Sequence, residues 1–193
     1  MEELIHDEVN HFNNFIEKNI DKPFDFAGQL NLPILNALWK VLVGERYDYE
    51  DEKLLNICNR LTESFKMVMQ SNRALFTRYP ILDKIFSRWS SSQYIIKTFN
   101  SVIDLIQDNI DNHKATLDVN EPRDYIDMVL REIEKTADTK SSFYGTTGEE
   151  NLKLTLFDLF LAGSETTSTT LTWAALYMVR SVSLINIIKL INN

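Results

Sequence analysis

ENLKLTLFDLFLAGSETTSTTLTWAALYMVR, residues 150–180, carries the main reading of this chain. Leu152, Leu154, Leu156, Phe157, Leu159, Phe160 and Leu161 precede its middle; Leu171, Trp173, Leu176 and Met178 follow it. Apolar residues therefore fall on nearly every side of a helix, and such a helix is expected in the centre of a protein. Its middle runs against that expectation. From Gly163 to Thr170, seven of eight positions are Gly, Ser or Thr, which costs about 3–4 kcal/mol of helix propensity against an alanine-rich version. Local preference and global burial conflict here, as they tend to at functional or strained sites.

The chemistry of the conflict follows from the residue types. Ala162 and Gly163 leave room beside the helix for something other than a side chain. The Thr166 hydroxyl can turn back to the carbonyl of Ala162 and bend or open the turn. Glu165 is a carboxylate among apolar neighbours, so it must be hydrated, paired or protonated. Adjacent to Thr166, it can form a short proton relay with water. The plainer alternative is a buried helix whose Thr residues satisfy themselves by back-bonding, with Glu165 in a salt bridge.

Outside this stretch helical periodicity dominates, and no run alternates with period two. Helices are predicted over residues 2–19, 33–43, 52–70 and 92–113, with another opening at Pro122. Glu2, Glu3 and Asp7 complement the dipole of the first. Pro33 suits a first turn and Gly44 a stop. Tyr79 and Pro80 break the chain before a short turn around residues 83–86. A loop is predicted over residues 136–148, and Thr147 with Glu150 forms a capping-box pattern for the central helix. The fold class is all-α, with one long buried helix.

A chain of 193 residues and 22.5 kDa suits a single core. A net charge of −8 excludes a nucleic-acid surface, which needs clustered Lys and Arg. Cys58 stands alone in LLNICNRL, so no internal disulfide forms, and it reads as a small buried hydrophobe. No targeting signal is visible in the acidic start MEELIHDEVN. The apolar run 171–191 carries Arg180 and Lys189, which favours a buried helix over a membrane span. His6 and His11 are five apart, a poor spacing for two ligands on one helical face, and read as surface residues; His113 stands alone near a helix end.

Ala162-Gly163-Ser164-Glu165-Thr166-Thr167 resembles the signature Ala/Gly-Gly-x-Asp/Glu-Thr-Thr/Ser of the cytochrome P-450 family of haem-thiolate monooxygenases. Leu159-Phe160-Leu161 before it and Leu171-Thr172-Trp173-Ala174 after it resemble the family's flanks. Upstream, Asn36-Ala37-Leu38-Trp39 and Gly44-Glu45-Arg46-Tyr47-Asp48-Tyr49 look like the helix and turn of animal microsomal members. The resemblance runs from residue 1 to about residue 180, which implies a partial domain over residues 1–180 and a non-family tail over 181–193. It implies haem as cofactor, O2 as co-substrate, and electrons from NADPH through a reductase. The product would be a small lipophilic substrate carrying one oxygen atom. It assigns Glu165 and Thr166 as the acid–alcohol pair, and Ala162, Gly163 and Thr167 to the cofactor side. Phe157, Phe160 and Leu161 would line the substrate pocket, with residues 70–76 and 91–99 as its roof. The full-length protein would sit at the endoplasmic reticulum membrane through an N-terminal anchor missing from this chain.

The sequence departs from the family in four places. No Cys stands in a Phe- and Gly-rich loop, so the chain offers no metal ligand of the family's kind. No Glu has an Arg three positions later, no Trp an Arg four later, and the anchor is missing. The tail SVSLINIIKLINN is biased to Ile, Asn and Lys. These departures predict a fragment, inactive alone. The rival expectation is a non-catalytic truncated helical module that binds a hydrophobic ligand or a redox partner.

Overall fold

A computed structural model describes residues 1–19, 21, 23, 25–69 and 92–181. Among them the regular elements are all helices: α1 (Glu2–Asn19), α2 (Phe26–Gln29), α3 (Asn31–Val43), α4 (Glu52–Met69), α5 (Ser92–Thr116), α6 (Tyr125–Lys135) and α7 (Gly145–Arg180). The expected break at Tyr79–Pro80, the turn at 83–86, the roof residues 70–76 and the tail beyond residue 181 lie outside the described residues. Among the described residues no helix is long and apolar enough to cross a membrane.

The spine of the fold is α7, 36 residues long, against which α3, α5 and α6 all pack. Its buried positions, Gly148, Leu152, Leu156, Phe160, Ser164 and Ser168, recur every four residues and form one row. Phe160, with no exposed surface, meets the buried Trp39 of α3 edge-to-face, ring centroids 5.3 Å apart. Burying an aromatic side chain of this kind contributes about 1.5–3 kcal/mol. The expectation of a helix enclosed on all sides is corrected: Trp173, Tyr177 and Val179 are 55%, 63% and 75% exposed. The described helices gather on one side of α7 and leave the other bare.

Local chemistry explains where the helices begin and end. Gly44 stops α3 in the left-handed region at φ 72°, its N–H donating to the Lys40 carbonyl at 3.2 Å. The sixth helix starts after Asp124, whose carboxylate accepts from the Asp127 N–H at 3.0 Å, so Pro122 precedes the cap and does not open the helix. The predicted capping box is also corrected. Thr147 and Glu150 lie inside the first turns of α7, whose start at Gly145 has no side-chain cap. Gly145 turns the chain at φ 49°, and Gly148 lets the first turn approach α6 closely. A Cβ on Gly148 would come within 2.7 Å of both Ile133 and the Phe143 carbonyl.

The first helix is tied down by a buried charge. Glu8, 5% exposed, accepts from Arg46 Nε at 2.7 Å and Asn36 Nδ2 at 3.2 Å, and from the Tyr49 hydroxyl. Three donors from α3 and the turn after it offset the desolvation of one carboxylate.

Candidate functional site

The Ser and Thr residues at the centre of α7 spend their protons on the helix itself. Ser164 donates to the Phe160 carbonyl at 2.9 Å, Thr166 to Ala162 at 2.7 Å and Ser168 to Glu165 at 3.0 Å. Thr170 donates to Thr166 and Thr172 to Ser168, both at 2.8 Å. The back-bond from Thr166 forms as expected, yet α7 runs unbroken through the motif. Packing against α3 holds a turn that propensity alone would loosen.

Side chains one residue apart on a helix point about 100° apart, and this separates the two reactive residues. Glu165 turns toward α4, half-buried, and accepts the Thr62 hydroxyl proton at 2.8 Å. No cation pairs with it among the described residues. Thr166 is exposed with Ala162, one turn before it, on the bare side of α7. The carboxylate and the hydroxyl make no direct hydrogen bond in this arrangement; a relay between them needs water.

The expected room beside Gly163 is already taken. A Cβ there would meet Leu38 Cδ2 at 2.6 Å, so this glycine admits a leucine of α3. Thr167 is exposed and helps line an apolar cleft of about 310 Å³ with Ile5, Val9 and Phe12 of α1 and Pro33 and Ile34 of α3. Of the three expected pocket residues, Phe160 is a core side chain. Phe157 is half-buried, its ring 5.5 Å from Phe99 of α5, and Leu161 is half-buried.

On the α4 side a second cleft of about 420 Å³ opens around Glu165, with Thr62 and Asn31 on its wall. Asn31 Nδ2 donates to Thr62 Oγ1 at 3.3 Å, which makes a chain Asn31–Thr62–Glu165 across three helices. Sequence reading misses Asn31 and Thr62, because neither sits in a motif and Thr62 lies 103 residues from Glu165. Nearby, burial and then the Glu165 charge push the Cys58 thiol up to about 12. Cys58 is buried in α4.

His113, expected to stand alone, is buried and faces Asp124 Oδ2 at 2.8 Å and the Asn109 carbonyl at 2.7 Å. With Asp127 it forms a close trio of possible ligand atoms. Asp127 is bound instead by Arg123 at 2.5 and 2.9 Å, and both His113 ring nitrogens face oxygen acceptors. The trio clasps α5 to α6. His6 and His11 are both exposed on α1.

An all-helical chain with a Gly-Ser-Glu-Thr-Thr turn at the centre of its longest helix defines a class, and comparison with known proteins places it. The family model described as Cytochrome P-450 matches residues 1–186. Cytochrome P-450 2J5 of Mus musculus is 35% identical over 186 residues, covering 92% of this chain and 34% of the relative. Cytochrome P-450 2J2 of Homo sapiens is 34% identical over 187 residues, covering 92% and 34%. Cytochrome P-450 2B19 of Mus musculus is 29% identical over 180 residues, covering 93% and 36%. The chain belongs to the cytochrome P-450 family. It spans about a third of the length of these relatives.

Proposed function

We propose that the protein carrying this chain is a haem-dependent monooxygenase that inserts one oxygen atom of O2 into a small lipophilic substrate. Electrons would come from NADPH through a reductase partner, at the endoplasmic reticulum membrane. Family membership supports the reading. The single observation that carries it is the exposed side of α7, where Ala162 and Thr166 present nothing bulkier than a threonine one turn apart. A flat cofactor fits against such a face. Haem, when bound there, supplies the iron at which O2 is activated.

This chain's own residues would do three things. Ala162 and Thr166 give the cofactor side its shape, with Thr167 at the edge. Thr166 Oγ1, its proton committed to the Ala162 carbonyl, offers lone pairs that accept a hydrogen bond from water. Glu165 holds a carboxylate at the polar cleft on the far side, from which protons can be drawn. The axial thiolate would come from residues other than Cys58, which is buried within α4. The domain division belongs to the same proposal: a partial domain over residues 1–180 followed by a tail, inactive alone.

Adding haem to the purified chain, reducing it and admitting carbon monoxide tests the last point. The expected spectrum lacks the red-shifted Soret band of thiolate ligation; that band would overturn it. A second reading has its own support. The apolar cleft between α1, α3 and α7 suits a non-catalytic module that holds a hydrophobic ligand. The readings part on whether the transcript encodes a Cys loop in frame beyond residue 193.

A further inference from the structure

We infer that Thr62 is a positioning residue for proton delivery, a role that rests on the monooxygenase reading proposed above. From α4 it fixes the Glu165 carboxylate at one place between the solvent of the cleft and Thr166. Among the described residues Glu165 makes one side-chain hydrogen bond, its Oε2 accepting from Thr62 Oγ1 at 2.8 Å. A glutamate turns about several bonds, so without a partner its carboxylate spreads over many positions. A hydrogen bond to a charged acceptor is of the stronger kind, and here it selects the position.

Thr62 is itself held. Branching at Cβ makes its χ1 stiff. Asn31 Nδ2, which can only donate, gives a proton to Thr62 Oγ1 at 3.3 Å. The Thr62 proton is thereby left for Glu165, and the chain runs one way, from amide to hydroxyl to carboxylate. The backbone that carries Thr62 is anchored as well, since Cys58 and Leu61 of the same helix belong to the hydrophobic core.

Other positions of the carboxylate serve the chemistry less well. Glu165 and Thr166 leave α7 about 100° apart, so water must link them, and water needs a fixed acceptor to order against. The cleft at Glu165, about 420 Å³, also carries Lys66 on its wall. A carboxylate released by Thr62 is free to swing to that ammonium instead. Acid–base assistance requires the group to stay within one water of what it serves.

Two measurements test the role. In the chain carrying isotope-labelled glutamate, the Glu165 carboxyl resonance is identified by its loss in Glu165→Gln. It should shift in Thr62→Val and return in Thr62→Ser; an unmoved resonance in Thr62→Val overturns the inference without any haem present. In the haem-loaded protein that carries these residues, Thr62→Val should raise hydrogen peroxide released per NADPH oxidised at least about twofold. Thr62→Ser should restore the wild-type ratio. Asp127→Asn, which loosens the start of α6 without touching Glu165, controls for lost stability and should leave the ratio unchanged. Circular dichroism checks folding, and Thr62→Ala takes the place of Thr62→Val if the valine variant does not fold. If Thr166→Val raises the ratio and Thr62→Val does not, the inference falls and the monooxygenase reading stands. If neither raises it, both fall. A rise as large in Asp127→Asn would reduce Thr62 to a structural role and overturn the inference as well.

Discussion

At the centre of α7, neighbouring side chains serve different surroundings. Thr62 sits between two of them, donating to Glu165 and accepting from Asn31. Thr62→Val removes both bonds and leaves a half-buried carboxylate and a buried amide unsatisfied. The expected loss is about 1–3 kcal/mol in urea unfolding, with Thr62→Ser close to wild type. Equal stability of the valine variant would show that the chain Asn31–Thr62–Glu165 contributes nothing. Gly163 gives a second test. Its α-carbon admits Leu38 Cδ2, so Gly163→Val overpacks the α3–α7 contact and should cost about 1–3 kcal/mol. Adding Leu38→Ala should recover part of that loss, and simple additivity in the double-mutant cycle would contradict the contact.

At the scale of elements, the clasp at the start of α6 has a pH signature. Arg123, by its side-chain hydrogen bond first, holds the Asp127 carboxyl below the usual carboxylate range. A carboxyl lowered by folding stabilises the native state fully above its unfolded value, near 4. That stability is lost as the pH falls through the lowered native value. Asp127→Asn should therefore be less stable than wild type at neutral pH, with the gap closing in acid below about pH 4. A gap that stays constant with pH would contradict the ion pair.

Elements were also where sequence was easiest to read. Repeating apolar positions and end residues placed α1, α3, α4 and α5 to within a few residues, and Gly44 stops α3 as its conformational freedom suggests. The first turn of α7 was not legible, because Gly148 seats it by a close approach to Ile133 and Phe143, a tertiary contact. Nothing local marks Asp124, which caps α6 and bonds His113. In the candidate site, the Thr166 back-bond was legible from spacing alone. The partner of Glu165 was not, since nothing local marks Thr62.

On the scale of the whole molecule, the chain spans about a third of its relatives' length and its longest helix has one side bare. Trp173, Leu176, Tyr177 and Val179 are each more than half exposed. Contiguous apolar surface of this kind drives association. The isolated chain should self-associate in a concentration-dependent way, and Leu176→Glu with Val179→Glu should raise the monomer fraction in sedimentation velocity. A monomeric wild type at high concentration would show that this side is already covered.

In the proposed monooxygenase, the bare side of α7 at Thr166 would face the oxygen chemistry. Hydrogen peroxide released per NADPH oxidised, in the haem-loaded protein that carries these residues, tests it most directly. Thr166→Val should divert most electrons to peroxide and cut oxygenated product at least about tenfold, within the range of lost acid–base assistance. Product per NADPH unchanged from wild type would show that Thr166 takes no part in the oxygen chemistry.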